Sequence, residues 1–115
     1  MRFFRRKVKQ GIALGRKIGY PTLNFNVGKF GDHHNVGVYA CDILIHGKSY
    51  TGALFFGPAI SCKSNVLEIH VLGFSGHIYN EFIKFHVGKK LREPKRFKSP
   101  DELKKQIGID LGKVV

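Results

Sequence analysis

Val36-Gly-Val-Tyr-Ala-Cys-Asp-Ile-Leu-Ile-His46 is the stretch that decides the fold. Tyr39, Cys41, Ile43 and Ile45 alternate with Val38, Ala40, Asp42 and Leu44. A period of two is that of a strand with one face toward a core. His46-Gly47-Lys48 is a turn signal, and Ser49 to Phe56 then returns as the second arm of a hairpin. Gly57-Pro58 ends that arm.

The same pattern recurs on either side. Val66 to Leu72 predicts a strand that sends Leu67, Ile69 and Val71 into the core and Val66, Glu68, His70 and Leu72 the other way. Glu81 to Val87 predicts a last strand, and the basic stretch Lys89 to Lys98, which contains Pro94, reads as loop. Upstream, Thr22 to Val27 reads as a short strand and Phe3 to Gln10 as a first one. Gly28 to Asn35 reads as a loop, with His33 and His34 exposed in it. Ser99-Pro-Asp-Glu102 opens a helix: Ser99 caps it, Pro100 suits the first helical position, and Glu102 completes the capping box. Leu103 and Ile107 give an apolar stripe and Gly108 a stop. Short strands at hairpin spacing and one terminal helix describe a mainly β domain, a small antiparallel barrel closed by a helix.

A chain of 115 residues, 43% of them hydrophobic, is a single domain over 1–115 able to bury a core without disulfides. No apolar run approaches the roughly 18 residues of a membrane span. The start, Met-Arg-Phe-Phe-Arg-Arg-Lys, lacks the apolar core of a secretory signal. Cys41 and Cys62 are isolated, without metal-site spacing, and read as reduced thiols of a cytoplasmic protein. The formal charge is +12, and residues 1–31 hold eight Lys or Arg and no acid. That excess favours anionic partners: nucleotides, nucleic acid or an anionic membrane.

Two places carry candidate chemistry. Gly11, Gly15 and Gly19 stand four apart with Arg16 and Lys17 among them, followed by Pro21-Thr-Leu-Asn24. Glycines let a ligand approach the backbone, and Thr22 and Asn24 share one face of a strand. A basic glycine loop beside two neutral oxygens suits a metal-bound polyphosphate, although a surface turn leading into a strand has the same composition. The spacing is neither that of a dinucleotide fingerprint nor that of a P-loop. The second place is Glu68, the only acid between Asp42 and Glu81. A carboxylate in an apolar strand needs a partner or a function, because burying it unpaired is costly. It is either a general base at the barrel rim or a solvent-facing charge near cations.

Taken together, Gly11 to Asn24, Gly37-Val-Tyr39, Leu67-Glu-Ile-His70, Tyr79 and Arg92 through Phe97 resemble the riboflavin kinase (flavokinase) family, from about Val8 to Asp110. The resemblance implies a six-stranded antiparallel Greek-key barrel closed by a C-terminal helix. It implies transfer of the γ-phosphate of ATP to the 5′-hydroxyl of riboflavin, giving FMN. On matching positions, Thr22 and Asn24 would bind Mg²⁺ and phosphate oxygens. Gly11, Gly15 and Gly19 would cover the nucleotide, Arg16 would neutralise phosphate charge, and Arg5 would fall near a position that contacts ATP. Glu68 would be the catalytic base, and Arg92 and Phe97 would line the flavin side. The expected partners are the small molecules ATP and riboflavin and a separate FMN adenylyltransferase, with the chain itself a monomer. Leu23, Phe55, Asn80 and Pro94 depart from the family's usual residues. The competing reading is a basic β-barrel that binds nucleic acid without catalysis. It gives Glu68 no purpose.

Overall fold

The expected hairpin is the centre of the sheet. β3 (Gly37–Ile45) and β4 (Lys48–Pro58) pair in antiparallel register from Gly37↔Phe56 to Ile45↔Lys48. His46 and Gly47 join them, both at positive φ (49° and 78°), as a two-residue turn between right-twisted strands requires. The computed structural model describes residues 3–9, 22–58, 64–74, 78, 80–95 and 97–114. The loop with Gly11, Gly15, Arg16 and Gly19 lies outside the described residues, as do Cys62 and Tyr79.

Around the hairpin lie β1 (Phe4–Lys7), β2 (Thr22–Phe25), β5 (Asn65–Leu72) and β6 (Phe82–Arg92). The six strands form one antiparallel sheet in the order β1-β6-β3-β4-β5-β2. Within it, β3 to β6 lie in the order 6-3-4-5, which is a Greek key. The sheet curls until its edges meet: the Lys9 N–H donates to the Asn24 carbonyl at 2.8 Å, a bridge joining the end of β1 to β2. Arg6 ties the same seam, its Nη1 donating to the carbonyls of Asn26 and Val27. The expected Greek-key barrel is therefore the fold observed.

Alternation sets the two faces. Leu23, Phe25, Cys41, Ile43, Leu54, Phe56, Leu67, Ile69, Val71 and Phe85 fill the barrel. At Gly52 the strands approach so closely that a Cβ would stand 2.5 Å from the His70 carbonyl oxygen. A second, smaller cluster lies on the outer face, where Val38 and Ala53 meet Ile107 and Leu111 of helix α1 (Pro100–Val114). The Ser99 hydroxyl accepts the Glu102 N–H at 3.3 Å, whereas the Glu102 carboxylate takes the N–H of Lys98 rather than that of Ser99.

Four expectations are corrected. α1 does not stop at Gly108 but runs to Val114. A helical glycine costs about 1 kcal/mol, which the burial of Leu111 outweighs. β6 continues to Arg92 through the basic stretch read as loop, because two bulges opposite Val38–Cys41 keep it paired to β3. β1 is shorter than Phe3 to Gln10, ending at Lys7. His34 is half-buried, stacked on Phe30 at 4.1 Å, while His33 is exposed as expected.

Candidate active site

Directly opposed residues on antiparallel strands share a face, so the ladder registers assemble the site. Asn24 opposes Glu68, and Glu68 opposes Phe55. Phe55 opposes Val38, which opposes Arg92. Lys9 opposes Asn24 from the other side. One outward row therefore reads Lys9, Asn24, Glu68, Phe55, Val38, Arg92. The next reads Thr22, His70, Ala53, Ala40. Opposed Cβ atoms stand about 5 Å apart and diagonal ones about 7 Å. The Thr22, Asn24 and Glu68 side chains thus converge on one patch. It lies outside the barrel, since Leu23, Phe25, Leu67 and Ile69 between them are buried.

Helix α1 sits on the same face and forms a wall beside the patch. Arg92 clamps it to the sheet: Nε donates to Asp110 Oδ1 at 2.9 Å and Nη2 to Oδ2 at 2.8 Å. Gln106 adds a third donor to Oδ1 at 3.0 Å. Asp110 is 3% exposed, the one buried charged side chain among the described residues. The Arg92 guanidinium also stands 6.0 Å from the Phe97 ring.

Burial sets the electrostatics. It pushes the Glu68 carboxyl above the usual carboxylate range, and the Lys9 ammonium pulls it partly back. It pushes the His70 imidazole down to about 4, with Asp110 opposing and Arg92 reinforcing the shift. His70 Nδ1 lies 3.0 Å from Thr22 Oγ1.

The sequence-derived site residues divide into groups. Thr22, Asn24 and Glu68 come together. Arg92 and Phe97 lie side by side at the helix wall, with Arg92 engaged by Asp110. Arg5 points outward on the same strand face as Lys9, but four residues away, about 13 Å along an extended chain. Its guanidinium packs 4.0 Å from the Phe82 ring centroid. Sequence reasoning missed Lys9 and Asp110. Asp110 had a signal, a carboxylate on the stripe Leu103, Ile107, Leu111. Lys9 had none, because its place follows from where β1 meets β2.

The sequence pattern of the family described as "Flavokinase: Riboflavin kinase" matches residues 2–115. The chain belongs to the riboflavin kinase family. The bifunctional riboflavin kinase/FMN adenylyltransferase of Buchnera aphidicola is 36% identical over 110 residues, covering 91% of this chain and 35% of that protein. The chain thus spans about a third of the length of that relative. The crystal structure of a Streptococcus pneumoniae protein described as a macrolide-efflux protein superposes with a TM-score of 0.78. It is 28% identical, over 96% of this chain and 37% of that one. The crystal structure of riboflavin kinase from Trypanosoma brucei shares the fold, with a TM-score of 0.65 at 22% identity over 97% of this chain and 76% of that one. No described helix is long and apolar enough to cross a membrane.

Proposed function

We propose that this chain transfers the γ-phosphate of ATP to the 5′-hydroxyl of riboflavin, giving FMN and ADP. The observation that carries it is the outward cross-strand pair Asn24–Glu68 with Thr22 on the diagonal. The Glu68 carboxylate accepts the hydroxyl proton as the riboflavin oxygen bonds to the γ-phosphorus. The bond from that phosphorus to the ADP oxygen breaks, and the proton passes from Glu68 to solvent. A base whose affinity for protons is raised by burial lies nearer the working pH than an exposed glutamate, which favours proton transfer. Lys9 opposes that shift and favours the ionised form that acts as the base.

Thr22 and Asn24 present two neutral hard oxygens on one face, a donor set that fits Mg²⁺ shared with nucleotide phosphates and water. Bound there, the ion would neutralise phosphate charge. Phosphoryl transfer depends mainly on positioning and electrostatic stabilisation. Gly11, Gly15, Gly19, Arg16 and Arg5 are assigned to the nucleotide on sequence grounds. Phe97 and Arg92, beside α1, are assigned to the flavin, with the Phe97 ring offering an apolar platform.

Incubation with riboflavin, ATP and MgCl₂, followed by chromatographic separation of flavins, tests the proposal. FMN should form one-for-one with ADP and should cease on chelation of the metal. A folded protein that yields no FMN would overturn it.

A further inference from the structure

Beside Thr22, on the row adjoining Glu68, stands a side chain to which the reaction above gives no role. His70 is flanked on its strand neighbours by Thr22 and Ala53. Ala53 is buried beneath Ile107 and Leu111 of α1. On the other side, His70 Nδ1 lies 3.0 Å from Thr22 Oγ1, across the β2–β5 pair.

We infer that His70 is a positioning residue: its Nδ1 accepts the Thr22 hydroxyl proton and thereby turns the hydroxyl lone pairs toward the cleft shared with Asn24 and Glu68. The inference rests on the kinase reading of that cleft. A threonine hydroxyl has one proton and two lone pairs, and it rotates freely unless a partner fixes it. Were the proton to turn toward Glu68, the hydroxyl would occupy the carboxylate that the substrate hydroxyl needs. Were it to turn toward a bound cation, it would repel it. Donation to Nδ1 avoids both. It would also make the oxygen a better lone-pair donor to a cation held by Thr22 and Asn24, the effect hydrogen-bond partners behind a metal ligand commonly have. Donation in that direction requires the neutral tautomer, with the ring proton on Nε2.

Two measurements test this, and neither depends on turnover. The first is a long-range ¹H–¹⁵N NMR spectrum of the wild-type protein with labelled histidine. An unprotonated Nδ1 and a protonated Nε2 are expected for His70. The reverse tautomer would overturn the inference, and in a chain that makes FMN it would do so while leaving the kinase reading intact. The second is ADP binding by calorimetry with and without Mg²⁺, for wild type, His70→Leu and His70→Asn. His70→Leu should lose about tenfold of the metal-dependent gain in affinity, with metal-free binding unchanged. His70→Asn, whose amide oxygen can stand where Nδ1 stood, should recover most of it. A wild-type gain in His70→Leu, or no recovery in His70→Asn, would overturn the inference. Should the leucine variant fail to fold, the tautomer decides alone. A wild-type protein without metal-dependent ADP binding or FMN formation would remove the kinase reading and this inference with it.

Discussion

Replacing Asp110 by asparagine should loosen the wall of the site. The carboxylate takes two bonds from Arg92 and one from Gln106 while 3% exposed, and the Arg92 side chain is 17% exposed. Removing one charge of such a pair leaves the other buried and uncompensated, at a cost of about 3–5 kcal/mol. At about 4 °C per kcal/mol for a domain of this size, the thermal midpoint should fall by roughly 12–20 °C. The pair itself need not be stabilising overall, since buried pairs can be replaced by apolar side chains with little loss. The double variant Arg92→Met, Asp110→Leu should therefore lose less than the sum of the two single changes, by about 2 kcal/mol or more. Urea unfolding of wild type, Asp110→Asn, Arg92→Met, Asp110→Leu and the double variant measures all the terms. A single Asp110→Asn variant within about 1 kcal/mol of wild type, or strict additivity in the cycle, would refute the clamp.

Other outcomes follow from the same coordinates. Leu111→Ala should cost about 2–4 kcal/mol, read by denaturant unfolding, because it empties the seam between α1 and the sheet. Gly52→Ala should destabilise by about 1–3 kcal/mol in the same assay, since the new Cβ meets the His70 carbonyl oxygen at 2.5 Å. Glu68 must be ionised to act, so FMN formation should fall as pH drops through its raised value. Lys9 lowers that value, so Lys9→Met should move the acidic limb of the kcat/KM profile to higher pH. A limb unmoved or moved down would separate Lys9 from Glu68.

The fold was legible because its strands are half-buried and alternate. Tyr39, Cys41, Ile43 and Ile45, and again Leu67, Ile69 and Val71, point inward as the period of two requires. Boundaries were less so. Lys89 and Lys90 look like loop in isolation, yet they continue a strand in which Lys90 pairs with Tyr39 and Arg92 with Val38. Gly108 looks like a helix stop, yet packing about one turn further on, at Leu111, outweighs local preference. The site was half legible. Glu68 stood out as an acid in an apolar run, and Thr22 and Asn24 as a same-face pair. That the three share a patch depends on the β2–β5 register, which no local signal fixes. Arg92 was read toward the flavin, while its bond to Asp110 joins residues on two elements that only tertiary packing brings together.

The central claim is that the Glu68 carboxylate takes the riboflavin hydroxyl proton, and single-turnover FMN formation by Glu68→Gln tests it most directly. The fold should survive the change. Burial raises the Glu68 value, so its ionised form is disfavoured in the folded state, and relative stability is present at low pH and lost as pH rises through that value. Glutamine removes the charge, so the thermal midpoint at neutral pH should be equal to or above wild type. The single-turnover rate should fall by about 10²–10⁴-fold, the usual loss on removing a positioned base. A folded Glu68→Gln protein that forms FMN at the wild-type rate would contradict the account.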